Sequence, residues 1–171
     1  GKTTTTGMLT QLFIQAGKDP SAIIGGKLPF IGSNGRAGKS DIMICEACEY
    51  VDTFLKLSPA ISIILNIDAD HLEYFGSLEN IIKSFHQFAN QTSKVLIVNG
   101  DDENVKKAIK DIQDVKIITF GLGADNDYSA ANIKEEPNVF EDFTLMKQGT
   151  PLTDIRLSVP GKHNIMNALA A

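Results

Sequence analysis

No stretch of this 171-residue sequence approaches the roughly 20 consecutive apolar residues that a helix needs to cross a bilayer, so no membrane partner is expected. The start is neither basic nor apolar, so no secretory leader is expected either. Internal repeats, low-complexity tracts and an obvious interdomain linker are also missing. Basic residues are scattered: 16 Lys and Arg against 21 Asp and Glu leave a net charge of -5, which argues against nucleic acid as the main partner. Cysteine is scarce. Cys45 and Cys48 form a single C-x-x-C, without the second ligand pair of a zinc site or the thioredoxin-like start of a redox motif. They read as two small residues at a strand end in a reducing compartment. The chain has no initiator Met and begins abruptly, as expected of a fragment of a longer polypeptide.

What is present suits one well-filled domain, with 43% hydrophobic residues over 171 positions. "TTTTGMLTQLFIQAG" sets Met8, Leu9, Leu12, Phe13 and Ala16 at helical spacing, with Gly17 as a stop. "GGKLPFIGSNGRAGKS" reads as a long loop, of a length that is usually functional or mobile. "DIMICEA", "AISIILNI", "KVLIVNG" and "VKIITFG" are apolar runs of strand length, and continuous apolar strands imply burial on both faces of a parallel sheet.

Helical patterns alternate with these strands. Leu78, Ile81, Ile82, Phe85, Phe88 and Ala89 line one helix, and Val105, Ala108, Ile109 and Ile112 line another. The expected fold is therefore α/β: a P-loop-type doubly wound, mostly parallel sheet flanked by helices. "DYSAANI", "FEDFTLMKQG" and "TDIRLSV" add a small antiparallel β section near the C-terminus, and a last helix should start near Asn164.

The chemistry begins at the first residue. Gly1, Lys2 and Thr3 are the last three positions of the phosphate-binding pattern G-x-x-x-x-G-K-[ST], followed directly by a helix. Backbone N–H groups there, with Thr4 behind them, can cradle phosphate oxygens. Lys2 can neutralise the β and γ phosphates, and the Thr3 hydroxyl can ligate Mg²⁺. Such an ion needs further oxygen ligands from nearby strand ends. Glu46 ends one apolar run, and Asp68, Asp70 and His71 end another. His71 suits a metal ligand or a proton carrier. His86 reads as a solvated residue on a helix flank. His163, with Asn164 and Asn167, could contact a base or cap the final helix.

Four motifs in order, "GKTTTTG", "EACEYVDTFLKLSP", "LNIDADHLEYFG" and "PGKHNIMNALAA", resemble the central ATP-binding domain of the Mur ligase family, over essentially the whole chain. The alanine-adding branch is the nearest in pattern. The resemblance implies that the chain is the middle domain alone, cut within its P-loop, with N-terminal UDP-binding and C-terminal amino-acid-binding domains elsewhere in a cytoplasmic enzyme. It implies an ATP-dependent ligase of peptidoglycan synthesis, with UDP-N-acetylmuramate and L-alanine as substrates. The lactyl carboxylate takes the γ-phosphoryl of ATP to give an acyl phosphate, which the amine then attacks.

By the same resemblance, Gly1, Lys2, Thr3 and Thr4 hold ATP, and Lys2, Glu46 and His71 act in catalysis. Thr3 and Glu46 ligate a first Mg²⁺, His71 a second, and His163 and Asn167 meet adenine. Asn34 and Arg36 look like the segment that meets the UDP-sugar. Two positions depart from the pattern. Cys48 stands where an acid is frequent, although Glu46 and Glu49 remain, and Leu65 stands where threonine is common. A peptide-recycling ligase acting on the same sugar nucleotide, folylpolyglutamate synthase and a non-catalytic nucleotide-binding module are the related readings.

Overall fold

The structure, a computed structural model, describes residues 1–135 and 141–171. Phe140, the first residue of the "FEDFTLMKQG" stretch, lies outside the described residues. Two compact units emerge, Gly1–Ala47 together with Ala171, and Cys48–Ala170.

In the first unit, helix α1 (Lys2–Gln15) leads through Gly17, at φ 70°, into a three-stranded sheet of order β2-β1-β3. Its strands are β1 (Ser21–Leu28), β2 (Ser33–Arg36) and β3 (Met43–Cys45). Ala22, Ile24 and Ile44 form the core, with Leu9 and Phe13 of α1 packed on it. The helix is where the sequence predicts, but its face is narrower: Thr5, Gly7 and Thr10 are buried, while Leu12 is 51% exposed.

The predicted long loop is a correction. Most of it is a hairpin, with β1 running antiparallel to β2 through a turn containing Gly32 at φ 67°. Its glycines obscured the strand, because they remove the apolar alternation by which strands are read. Here they are needed where other groups come close to the backbone. A Cβ on Gly25 would lie 2.8 Å from Glu46 Oε1, and one on Gly38 only 2.2 Å from the Asp19 carbonyl oxygen.

The second unit holds a six-stranded sheet of order β4-β5-β6-β7-β8-β9. Strands β4 (Ile61–Ile64), β5 (Val95–Asn99), β6 (Lys116–Gly121) and β7 (Tyr128–Glu135) are parallel. Strands β8 (Glu141–Lys147) and β9 (Thr150–Leu157) continue it antiparallel, as the sequence predicts. Burial on both faces does not hold throughout, since β4 is an edge strand of this sheet and Ile61 is 57% exposed.

Helices α2 (Leu72–Phe75), α3 (Leu78–Asn90), α4 (Glu103–Ile109) and α5 (Lys162–Ala170) complete the unit. Ser77 caps α3 by accepting from Asn80 N, and Asp102 caps α4 by accepting from Asn104 N and Val105 N. Phe88 of α3 stacks on Phe54 at 4.7 Å, while Leu96, Val105, Ala108 and Ile165 are fully buried. Helix α5 begins at Lys162, two residues earlier than its predicted start.

His86 is a further correction. Its Nδ1 lies 2.7 Å from the Ala108 carbonyl oxygen, and Asn90 Nδ2 lies 2.9 Å from its Nε2. A carbonyl only accepts, so Nδ1 carries the proton and the ring joins α3 to the last turn of α4. The helix-flank position gave no sign of this, because the partner is a backbone group 22 residues away.

Candidate nucleotide and metal site

Gly1 is the N-cap of α1, and Lys2, Thr3 and Thr4 form its first turn with exposed side chains. Strand β3 ends at Cys45, which places Glu46 just past its carboxyl end. The two segments meet: the Thr3 hydroxyl donates to Glu46 Oε1 at 2.8 Å. Adjacent oxygens on an octahedral Mg²⁺, each about 2.1 Å from the ion, stand about 3 Å apart, so this pair has the spacing of neighbouring ligands.

Glu46 is oriented from behind, where Gly25 N donates to Oε2 at 2.6 Å. Gly25 has no side chain to block that approach, and Gly26 leaves Thr3 room, since a Cβ there would sit 3.2 Å from Thr3 Cγ2. Sequence reasoning missed these two glycines. A Gly-Gly pair closing an apolar run was the available signal.

A shallow groove of about 380 Å³ is lined by Gly25, Gly26, Lys27, Gly32, Ser33 and Asn34. Asn34 thus borders an accessible surface. Arg36 does not share it: its guanidinium is paired with the Asp19 carboxylate, whose other oxygen accepts from Lys39 N at 2.9 Å. The structure therefore places Arg36 as a brace between β2 and the turn at Asp19.

In the second unit, Asn99 Nδ2 and Asn104 Nδ2 donate to the carbonyls of Leu65 and Ile67, each at 2.9 Å. With Ile67 2% exposed, the segment after β4 is pinned, and Asp68–His71 follows from a fixed point. His71, left-handed at φ 55°, caps α2 and accepts backbone bonds from Tyr74 and Phe75. Its imidazole joins Glu49 and Asp70 in a cluster whose ligand atoms all lie within 4.8 Å of one another. Two carboxylates and one imidazole at that spread need only a small contraction to share one divalent ion.

His163 and Asn167 separate. The His163 side chain is exposed, its ring against Gly161, where a Cβ would lie 2.6 Å from Cε1. Asn167 is 4% exposed, and its amide donates to Asn164 Oδ1 at 3.1 Å. Asn164 in turn donates to the Pro160 carbonyl, so the two asparagines brace the start of α5 from within. Glu141, 5% exposed, accepts from Gly161 N at 2.7 Å and fixes the same corner. Both cysteines are exposed and free. No helix among the described residues is long and apolar enough to cross a membrane.

A helix opening on Gly-Lys-Thr, a strand-end carboxylate against the threonine hydroxyl, and a mostly parallel sheet define a P-loop-type α/β domain. The chain belongs to the Mur ligase family, matching its middle domain over residues 1–171. It is 41% identical over 173 residues to the UDP-N-acetylmuramate–L-alanine ligase of Caldanaerobacter subterraneus subsp. tengcongensis, covering 100% of this chain and 37% of that protein. The enzyme of the same name from Clostridium botulinum is 42% identical over the same span, with the same coverage.

Among solved structures, UDP-N-acetylmuramate–alanine ligase from Thermotoga maritima superposes with a TM-score of 0.85 at 28% identity, covering 99% of this chain and 37% of that one. The UDP-N-acetylmuramate:L-alanyl-gamma-D-glutamyl-meso-diaminopimelate ligase from Neisseria meningitides gives 0.86 at 26%, covering 99% and 56%. The chain spans 37% of the length of the Caldanaerobacter and Clostridium enzymes.

Proposed function

We propose that the protein carrying this chain is an ATP-dependent ligase that joins L-alanine to the lactyl carboxylate of UDP-N-acetylmuramate in the cytoplasm. The chain supplies the middle domain, and the UDP-binding and amino-acid-binding domains lie elsewhere in the polypeptide. The observation that carries this reading is the Thr3–Glu46 contact, built on Gly25, in a chain matched by the family along its whole length.

A carboxylate is a poor acyl donor until one oxygen becomes part of a phosphate leaving group. Phosphoryl transfer asks the protein mainly for positioning and charge neutralisation. In this reading Gly1, Lys2, Thr3 and Thr4 hold the phosphates, with Lys2 countering the charge that shifts during transfer. Thr3 and Glu46 would hold one Mg²⁺ through the hydroxyl and carboxylate oxygens that now share a hydrogen bond. Glu49, Asp70 and His71 hold a second. Bound Mg²⁺ supplies neutralisation of the phosphate oxygens and of the new acyl phosphate. His163 faces the adenine, and Asn164 and Asn167 brace the start of α5 that carries it. Asn34 and the glycine-lined groove are offered to the sugar nucleotide.

The test uses the full-length protein with ATP, Mg²⁺ and UDP-N-acetylmuramate, comparing ADP release on addition of L-alanine, L-serine, glycine or a tripeptide. L-alanine should stimulate most. Preference for the tripeptide would assign the protein to the recycling reaction instead, and no stimulation by any of them would leave only a nucleotide-binding module.

A further inference from the structure

Tyr50–Lys56 is an irregular 3-10 segment, and inside it Val51 (φ 54°, ψ 32°) and Asp52 (φ 53°, ψ 27°) are consecutive left-handed residues. A β-branched residue rarely adopts that conformation, so something must hold it. Backbone and hydroxyl bonds supply part of the hold: Asp52 N donates to the Glu49 carbonyl at 3.0 Å, and Thr53 Oγ1 to the Cys48 carbonyl at 2.7 Å. The rest comes from the Asp52 carboxylate. It accepts from the Tyr74 hydroxyl at 2.8 Å and from the Ser84 hydroxyl, tying the turn to α2 and α3. The Tyr74 phenol is raised above its ordinary range by that hydrogen bond, then by burial and the Asp52 charge, so it stays a donor.

The turn brings two side chains to His71. Glu49 enters the carboxylate–imidazole cluster, and the Tyr50 ring lies over the imidazole with centroids 4.7 Å apart at 43°. Tyr74 meets the Tyr50 ring edge-on at 6.1 Å. Tyr50 therefore touches both rings, and the Tyr74 hydroxyl is held by Asp52. We propose that Asp52 and Tyr50 are positioning residues for a divalent cation at Glu49, Asp70 and His71: Asp52 locks the turn, and Tyr50 fixes the imidazole. This rests on the reading of that cluster as a cation site.

The test is Mn²⁺ titration of the full-length protein without nucleotide, read as free Mn²⁺ by electron paramagnetic resonance. Wild type is compared with His71→Ala, Glu46→Gln, Asp52→Gly, Asp52→Asn, Tyr50→Leu and Tyr50→Phe. Glycine keeps the left-handed turn without either hydroxyl bond, whereas asparagine tolerates that conformation and keeps one acceptor oxygen, with its NH2 able to donate to the oxygen of the other hydroxyl. His71→Ala should abolish one class of bound ion. Asp52→Gly and Tyr50→Leu should weaken that class about tenfold, as loss of groups that orient ligands does. Asp52→Asn and Tyr50→Phe should stay within about twofold, and the Glu46-dependent ion should be unchanged in all four, a selectivity that general loosening of the fold would not give. Loss in His71→Ala with wild-type affinity in Asp52→Gly and Tyr50→Leu overturns the positioning role. Wild-type binding by His71→Ala overturns the cation site itself, and the positioning role with it.

Discussion

The Thr3 hydroxyl donates to Glu46 Oε1 at 2.8 Å across 43 positions of sequence. In the proposed site the two oxygens are ligands of one ion. Thr3→Ala and Glu46→Gln in the full-length protein should each lower kcat by about 100-fold or more, about 2.7 kcal/mol of transition-state stabilisation. Gly25→Ala should fall in the same direction, because its Cβ would lie 2.8 Å from Glu46 Oε1 and displace the carboxylate. Steady-state kinetics check this, and near-normal kcat in Glu46→Gln would remove the metal assignment.

Gly38 and Arg36 are expected to matter for stability. A Cβ on Gly38 would meet the backbone of Asp19 and Pro20 at 2.2 and 2.4 Å, and neither can give way as a side chain could. Gly38→Ala should cost about 1–3 kcal/mol in urea unfolding. Arg36→Gln should lower the thermal midpoint while leaving KM for the sugar nucleotide within about twofold, since its guanidinium is spent on Asp19. A large rise in KM would return Arg36 to the substrate.

Acid should weaken the second unit through Asp101. Burial alone would raise its carboxyl, but bonds from Asn126, Gly123 N and Leu122 N, with the Lys106 charge, hold it below the ordinary range. A carboxyl lowered on folding stabilises at pH above its unfolded value, about 4, and that contribution fades as pH falls through the lower folded value. Asp101→Asn should therefore be less stable than wild type at pH 7, and the gap in urea midpoint should shrink at about pH 3. A gap that persists in acid would place the effect in packing.

His163→Ala should raise KM for ATP about tenfold with little change in kcat, as expected when a group contributes equally to ground-state and transition-state binding. Gly161→Ala should do the same through the ring, because Gly161 sits at φ 103° with a Cβ position 2.6 Å from His163 Cε1. An unchanged KM in both variants would remove His163 from the base site.

Much of this was legible in the sequence for physical reasons. The parallel strands and helices announce themselves through apolar periodicity, and Glu46 sits just past the end of β3, whereas His71 lies well beyond β4, at the start of α2. What escaped notice lacks such a signal. Strand β1 carries Gly25 and Gly26 in its interior, and their missing side chains erase the pattern while making the Glu46 contact possible. Asp52 and Tyr50 act through residues 22 and 21 positions away, and the left-handed turn that aims them starts on Val51, a β-branched residue that turn rules disfavour there. Arg36 and Asn167 stand as binding residues through the family resemblance; Arg36 meets Asp19, a partner the sequence did not indicate, while the Asn167–Asn164 bond matches the capping alternative for the last helix.

The central claim is that a substrate carboxylate is activated by phosphoryl transfer before an amine attacks it. It is tested most directly with UDP-N-acetylmuramate carrying ¹⁸O in both lactyl carboxylate oxygens, turned over by the full-length protein with ATP, Mg²⁺ and L-alanine. The carboxylate oxygen that attacks the γ-phosphorus leaves with it when the amide forms, so each inorganic phosphate released should carry one ¹⁸O, with ADP unlabelled. Phosphate free of label, or label recovered in AMP, would contradict the claim.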